Sequence, residues 1–235
     1  MCYTSTMYDI VFISYNETYA EDNWKLLKER FPTAKRVDGV KGIHQAHIAA
    51  AKKCFTKMFW VVDADAQLVN TFNFDYEVDE WNLETVHVWR SINPVNDLEY
   101  GYGGVKLLPR KLTLKMDISK PDMTTSISSH FKAVSEISNI TAFNADEFST
   151  WRSAFRECAK LASKTIKGQV DGETSERLSK WCASLPSSKR KFGNYAINGA
   201  KAGSQYGVSN SNNPDALILI NNYEWLHEQF SRYTL

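Results

Sequence analysis

The sequence predicts an α/β protein: a mostly parallel sheet flanked by helices, followed by a helical C-terminal extension. Three observations carry this. Met58-Phe-Trp-Val-Val62 is an apolar run that ends in Asp63-Ala-Asp65, which reads as a strand buried on both faces with carboxylates at its end. Asp9-Ile-Val-Phe-Ile-Ser14 is a second such run, and two helical patterns lie between them. Strand–helix–strand–helix–strand order implies right-handed crossovers. From Asn144 onward the apolar periodicity turns helical. The division expected is 1–135 for the sheet-bearing core and 136–235 for the extension, together one compact unit.

In chain order, the first strand ends in the polar cluster Ser14-Tyr15-Asn16-Glu17. Residues 20–31 form a helix, with Trp24, Leu27 and Phe31 on one face and Pro32 as its stop. A short strand at 34–37 leads through Asp38-Gly-Val-Lys-Gly42 into an alanine-rich helix over 43–55, which carries His44 and His47. After the Met58 strand come an aromatic loop (Phe72-Asn-Phe-Asp-Tyr76), a strand at Val86–Arg90, and a glycine-loosened segment, Tyr100-Gly-Tyr-Gly-Gly104, that enters another strand. The Ser/Thr-rich stretch at 124–129 reads as a long loop. Asn144 opens the clearest helix, to about Lys164, with Glu147 completing a capping box. Helices at 173–183, 195–203 and 215–231 follow, the last with Asn213 as N-cap and Pro214 in its first turn.

Of the 235 residues, 43% are hydrophobic and 23% charged, enough for one large domain or a core with an appended subdomain. Cys2, Cys54, Cys158 and Cys182 form no metal-type pair, so reduced thiols and a cytoplasmic setting are expected. No signal peptide or membrane-length apolar run is evident. Nothing specifies an oligomeric state. The net charge of +1 hides an asymmetry: residues 1–102 carry ten Lys/Arg against fifteen Asp/Glu, residues 103–235 eighteen against twelve. An acidic half holding a cation and a basic half facing a polyanion produce this pattern, as does a solvated basic helical surface.

Asp63 and Asp65 lead the candidate site. Carboxylates on one short turn at a sheet's carboxyl edge suit Mn²⁺ or Mg²⁺ and the phosphates such an ion bridges, although an Asp-x-Asp also arises by chance. Phe12-Ile-Ser-Tyr-Asn-Glu17, Gly42 opening an alanine-rich helix, and Trp60-Val-Val-Asp-Ala-Asp65 occur in the order seen in GT-A-fold glycosyltransferases. The similarity is strongest to family 2 and covers roughly residues 8–110. The wider sequence, including Tyr102-Gly-Gly-Val-Lys-Leu-Leu-Pro-Arg110 and Asn139-Ile-Thr-Ala-Phe-Asn144, resembles glycosyltransferase-like proteins of T4-type bacteriophages. The resemblance implies a nucleotide-diphospho-sugar donor. Ser14, Tyr15, Asn16 and Glu17 would line the nucleoside pocket, Asp38 would lie near the base or ribose, and Asp63, Ala64 and Asp65 would meet metal and diphosphate. It also implies hydroxymethylcytosine in phage DNA as acceptor, modified in the host cytoplasm.

The resemblance further places a general base, Asp146 or Glu147, at a helix start. The same acids are what a helix N-terminus favours for capping and dipole reasons. Lys41 and His44 precede or open a helix, where anions are welcome, so both are candidates for the diphosphate; His44 and His47 are equally ordinary half-buried histidines. His87 or His130 would complete a metal shell. Lys106, Arg110 and Lys111 are candidates for diphosphate or DNA phosphate. Lys189-Arg-Lys191 beside Phe192 and Tyr195 suits a stacked base or a plain exposed turn. Two rivals remain: a nucleotidyltransferase, and an inactive nucleic-acid-binding protein on the same fold.

Overall fold

The computed structural model describes residues 7–101, 103–166 and 168–234. Cys2, and Tyr102 of the glycine segment, lie outside the described residues. The chain divides into two compact units: 1–92, 99–117 and 127–142 form the first, and 93–98, 118–126 and 143–235 the second.

The first unit is an α/β layer structure. Strand β1 (Asp9–Ser14), helix α1 (Ala20–Arg30), β2 (Lys35–Asp38), α2 (Ile43–Lys52) and β3 (Met58–Asp63) follow in that order. A short β4 (Ala66–Leu68) and a 3₁₀ turn (Glu80–Asn82) lead to β5 (Val86–Ile92), β6 (Glu99–Tyr100) and β7 (Val105–Pro109). The helical turn α3 (Arg110–Thr113), the short helix α4 (Met123–Ile127), which crosses into the second unit, and β8 (Phe131–Thr141) complete this part.

Among the described residues the sheet has eight strands in the order β2-β1-β3-β7-β5-β8-β4, with β6 on β5. Its first three strands are parallel, as the crossover pattern requires. Beyond β3 the sheet is mixed, which corrects the expected mostly parallel sheet. Strand β7 is antiparallel to both β3 and β5, and β4 is antiparallel to β8. The physical reason is that β5, β6 and β7 follow one another through short connections, which pair strands antiparallel, whereas the longer connection through α3 and α4 returns β8 parallel to β5.

Met58–Val62 are at most 1% exposed, so the strand buried on both faces is borne out. Trp60 is the hub of an aromatic core. Its ring meets Phe72, Phe74 and Trp89 at 4.5–5.8 Å between centroids, spacings that suit edge-to-face and tilted pairing. The aromatic loop therefore belongs to the core: Phe72 and Phe74 are 2% and 1% exposed. The stretch expected as a loop at 124–129 is largely the short helix α4, and β8 is a strand that the sequence does not announce, running into the extension expected from 136. Its first half is exposed on both faces, so it carries no apolar alternation to announce it.

The second unit is helical. It contains α5 (Glu147–Ala162), α6 (Asp171–Cys182), a 3₁₀ turn (Ser187–Lys189), α7 (Gly193–Ser209), α8 (Pro214–Ile218), a 3₁₀ turn (Leu219–Asn221) and α9 (Tyr223–Thr234). The helix expected over 215–231 is thus interrupted by the second 3₁₀ turn. Asn213 caps α8 through Ala216 N, as expected. The cap of α5 differs from the expected Asn144–Glu147 box: Asp146 accepts from the Ser149 amide and hydroxyl, both at 2.7 Å. Phe148, Trp151, Phe155 and Ala159 form the apolar stripe of α5. Gly199, Gly203 and Gly207 of α7 lie against the carbonyls of Trp151, Phe155 and Ala159, where a side chain has no room.

Candidate functional site

The parallel strands end together at one sheet edge, which brings the ends of β1, β2 and β3 side by side. Ser14 pairs with Asp38 in register, and the Ser14 hydroxyl donates to Asp38 Oδ1 at 2.5 Å. Arg36 links this edge to α1. Its Nε donates to Ser14 Oγ at 2.9 Å, and its Nη2 donates to Glu21 Oε1 at 2.5 Å and Asp38 Oδ1 at 3.2 Å. The guanidinium lies about as far over the Phe12 ring (5.8 Å) as over the Trp24 ring (6.0 Å), within cation–π range. Bonding to Glu21, followed by the charges of Asp38 and Glu21, outweighs desolvation and raises the Arg36 pKa. The Glu21 carboxyl is lowered in return, chiefly by its bond to Arg36. In the adjoining loop, Tyr15 N donates to Glu17 Oε2 at 2.7 Å, while Tyr15 and Asn16 face solvent. Of this cluster, Ser14, Asp38 and the 15–17 loop were candidates from sequence. Arg36 and Glu21 were missed, because each reads as an ordinary surface charge on a regular element.

The Asp63-Ala-Asp65 turn is held at each of its three residues by a different part of the first unit. Asp63 N donates to Gly104 O at 2.9 Å, and Ala142 N donates to Asp65 O at 2.7 Å. Asn23 of α1, 8% exposed, donates through Nδ2 to Ala64 O at 2.8 Å. The backbone of the turn is therefore preorganised, which is what a binding constellation requires. Gly104 has a geometric reason to be glycine: a Cβ there would meet Asn139 Nδ2 at 2.7 Å. Asn139 itself is fully buried.

Lys106 departs from expectation. As a candidate for ligand phosphate it should face solvent, yet its side chain is 3% exposed and its ammonium donates to Asp63 Oδ2 at 2.7 Å and to the Gly103 carbonyl. The reason is its place in β7, whose residues Val105–Pro109 are all buried. A lysine in such a run needs an anionic partner, and Asp63 provides it. That lone charge inside Val105-Lys-Leu-Leu108 was the available sequence signal.

This pairing bears on the cation expected at the turn. A divalent ion seeks several oxygen ligands free of competing positive charge. Here one Asp63 oxygen already serves an ammonium. No group of three or more His, Cys, Asp or Glu that could hold a metal forms among the described residues. With Lys106 in place, one of the two Asp63 carboxylate oxygens is engaged by an ammonium.

Helix α2 starts at Gly42, whose φ of +94° is a conformation glycine adopts at little cost. Lys41 is exposed, whereas His44 and His47 are 5% and 2% exposed, more buried than the sequence reading allowed. His47 Nδ1 lies 2.8 Å from Ile43 O, and Nε2 has no hydrogen-bond partner among the described residues. Burial, and then the charge of Lys106, push the His47 imidazole down to about 3, so it is neutral. His87 is buried in β5, its pKa lowered by desolvation, with Nδ1 3.0 Å from Thr85 O. His130 is exposed and lines a shallow depression with Trp81 and Glu84. Neither histidine joins a metal-competent group with Asp63 and Asp65. Arg110 donates to the Ala51 carbonyl at 3.0 Å, and Lys111 is exposed.

The remaining candidates lie in the second unit. Asp146 and Glu147 are both exposed at the start of α5. Both Asp146 oxygens accept from Ser149. Glu147 accepts from the Tyr195 hydroxyl, a bond that raises the tyrosine pKa. In the basic turn, Arg190 donates to both oxygens of Asp97 at 3.0 and 2.8 Å, and Lys191 lies 5.1 Å from the Phe192 ring centroid. Lys189 is exposed.

No family model matches this chain, and no curated protein sequence matches it significantly. Among the described residues no helix is long and apolar enough to cross a membrane. Fold and edge geometry define an α/β protein with a mixed sheet flanked by helices, carrying polar residues at the carboxyl ends of its parallel strands.

Proposed function

We propose that the protein is a glycosyltransferase that takes a nucleotide-diphospho-sugar at the carboxyl edge of β1, β2 and β3 and passes the sugar to an acceptor hydroxyl. One observation carries this reading: the Asp63-Ala-Asp65 turn is pinned by Gly104, Asn23 and Ala142 on the same sheet edge as the Ser14–Arg36–Asp38 network. In open α/β sheets, ligands bind beyond the carboxyl ends of the strands. Carboxylates beside fixed donors suit the hydroxyls of ribose and sugar, and Trp24 and Tyr15 offer rings to a nucleobase.

In the reaction, the acceptor oxygen forms a bond to the anomeric carbon. The bond from that carbon to the diphosphate oxygen breaks, and its electron pair leaves with the nucleoside diphosphate. The acceptor proton passes to a carboxylate. By the resemblance, Asp146 or Glu147 would take that role. The acceptor we propose is the hydroxymethyl group of a modified cytosine in DNA, a reading that rests on the resemblance to T4-type phage proteins. A base in a duplex must be flipped or its groove widened before such chemistry.

The test is incubation with a panel of sugar nucleotides and either hydroxymethylated or plain DNA, followed by digestion to nucleosides and mass spectrometry. The expected outcome is a hexose or pentose mass increment on hydroxymethylcytosine alone, with release of nucleoside diphosphate. Pyrophosphate release instead would identify a nucleotidyltransferase. DNA binding that persists in Asp65→Ala, with no sugar-nucleotide turnover by the native protein, would identify an inactive DNA-binding fold.

A further inference from the structure

Resting on the donor-site reading above, we propose that Lys106 is the resident cation of the Asp63-Ala-Asp65 turn, so that a sugar nucleotide binds there with no divalent metal ion on Asp63. Lys106 is a positioning residue in this account, acting through Asp63. Its ammonium is almost wholly shielded from solvent and bonds Asp63 Oδ2 at 2.7 Å and the Gly103 carbonyl. A buried ammonium stripped of its carboxylate is strongly unfavourable. A metal ion drawing on that carboxylate would weaken the bond and set a second positive charge beside the first.

The surroundings keep the ammonium where it is. Lys106 sits on β7, held on one side by β3 and on the other by β5, with Lys106 opposite Val61 and Val88. Asp63 N donates to Gly104 O, a second tie between the turn and the 103–106 segment. Neutral His47 on α2 feels the Lys106 charge and adds no competing positive charge.

The pairing gives the site a different charge balance from a metal clamp. Asp63 and Lys106 cancel, so the phosphates of a donor approach an edge with one negative charge fewer. Meanwhile the Asp63 side chain keeps 35% exposure and can accept a hydroxyl on its outer side.

The decisive measurement needs no nucleotide. Purified native protein, Lys106→Arg and Lys106→Met are titrated with Mn²⁺, and free Mn²⁺ is followed by electron paramagnetic resonance. Native protein and Lys106→Arg, which keeps the charge, should show no site at micromolar Mn²⁺. Lys106→Met, close in size and uncharged, should bind at least about tenfold more tightly, and Asp63→Asn in that background should remove the gain. One tight Mn²⁺ site in native protein that is lost in Asp63→Asn overturns the proposal, whether or not Lys106→Met folds.

A parallel calorimetric titration with UDP-glucose and GDP-mannose, with EDTA or with Mn²⁺, reads the donor site. Equal affinity in both conditions for native protein, with Mn²⁺-dependent affinity in Lys106→Met, supports the proposal. Binding by native protein only when Mn²⁺ is present overturns it. If neither nucleotide binds under any condition, the donor-site reading fails, while the Mn²⁺ titration alone still decides the role of Lys106.

Discussion

Replacing Gly203 by alanine should destabilise the helical unit, although alanine is the better helix former. A Cβ built at Gly203 lies 2.2 Å from Phe155 O and 2.8 Å from Phe155 C and Cα, and all three atoms are backbone. A comfortable carbon–oxygen contact is about 3.3 Å or more, so α7 must retreat from α5 by roughly 1 Å. Trp151 and Phe155, at most 1% exposed, would lose packing along that interface. A gap of this size forfeits a quarter to a half of the dispersion contact it opens, and overpacking costs about 1–3 kcal/mol by itself. Against these stands a gain of about 1 kcal/mol from helix propensity. The net expectation is a loss of roughly 2–3 kcal/mol, a fall in Tm of about 5–10 °C. Chemical denaturation followed by tryptophan fluorescence measures it. Gly172→Ala is the internal control, because a Cβ at that helical position meets nothing within 4 Å and should be neutral or mildly stabilising. A Gly203→Ala protein as stable as the native one would refute the reasoning, since it would mean the helices do not touch through these glycines.

Other outcomes follow from the same structure. His47 has a folded pKa near 3, below the ordinary value of about 6.5. The unfolded chain thus takes up a proton that the folded one refuses. Stability is fully present above about pH 6.5 and falls as pH drops toward 3, by roughly 2 kcal/mol at pH 5; urea melts of His47→Gln should show that much less pH dependence than the native protein. Asn23→Ala leaves the Ala64 carbonyl without its donor and should cost about 1–3 kcal/mol, with a larger loss of sugar-nucleotide affinity than stability alone explains. Asp146→Ala removes a helix cap worth about 1 kcal/mol, whereas Glu147→Gln should leave the melting temperature near native. Whichever of the two abolishes turnover at a temperature where the variant is fully folded is the base that the resemblance implies.

Much of the first unit was legible as sequence, because a strand buried on both faces and a helix with one apolar stripe each leave a pattern in residue order. β1, α1, α2 and β3 fall within a few residues of their expected bounds. The parallel pairing of β1, β2 and β3 follows from helical crossovers, and the placement of Ser14, Asp38 and Asp63 at one edge follows from that pairing. Elements lacking such a pattern were not legible. Strand β8 is exposed through its first half, and the break between α8 and α9 depends on how residues 219–222 pack. The close approach of α5 and α7 is visible in Gly199, Gly203 and Gly207 only once their facing carbonyls are known.

What the sequence determined by itself is local: which segments are strands and helices, and which carboxylates stand at a strand's end. What tertiary structure decided is the partner of each charge. Residues 36, 21 and 38 form one network only because neighbouring elements bring them together. Lys106 lies 43 positions from Asp63, and nothing in residue order says whether its ammonium faces solvent or turns inward. Packing between β3 and β5 buries it, and a buried ammonium must find a carboxylate. That requirement joins Lys106 to Asp63 and changes the chemistry of the turn.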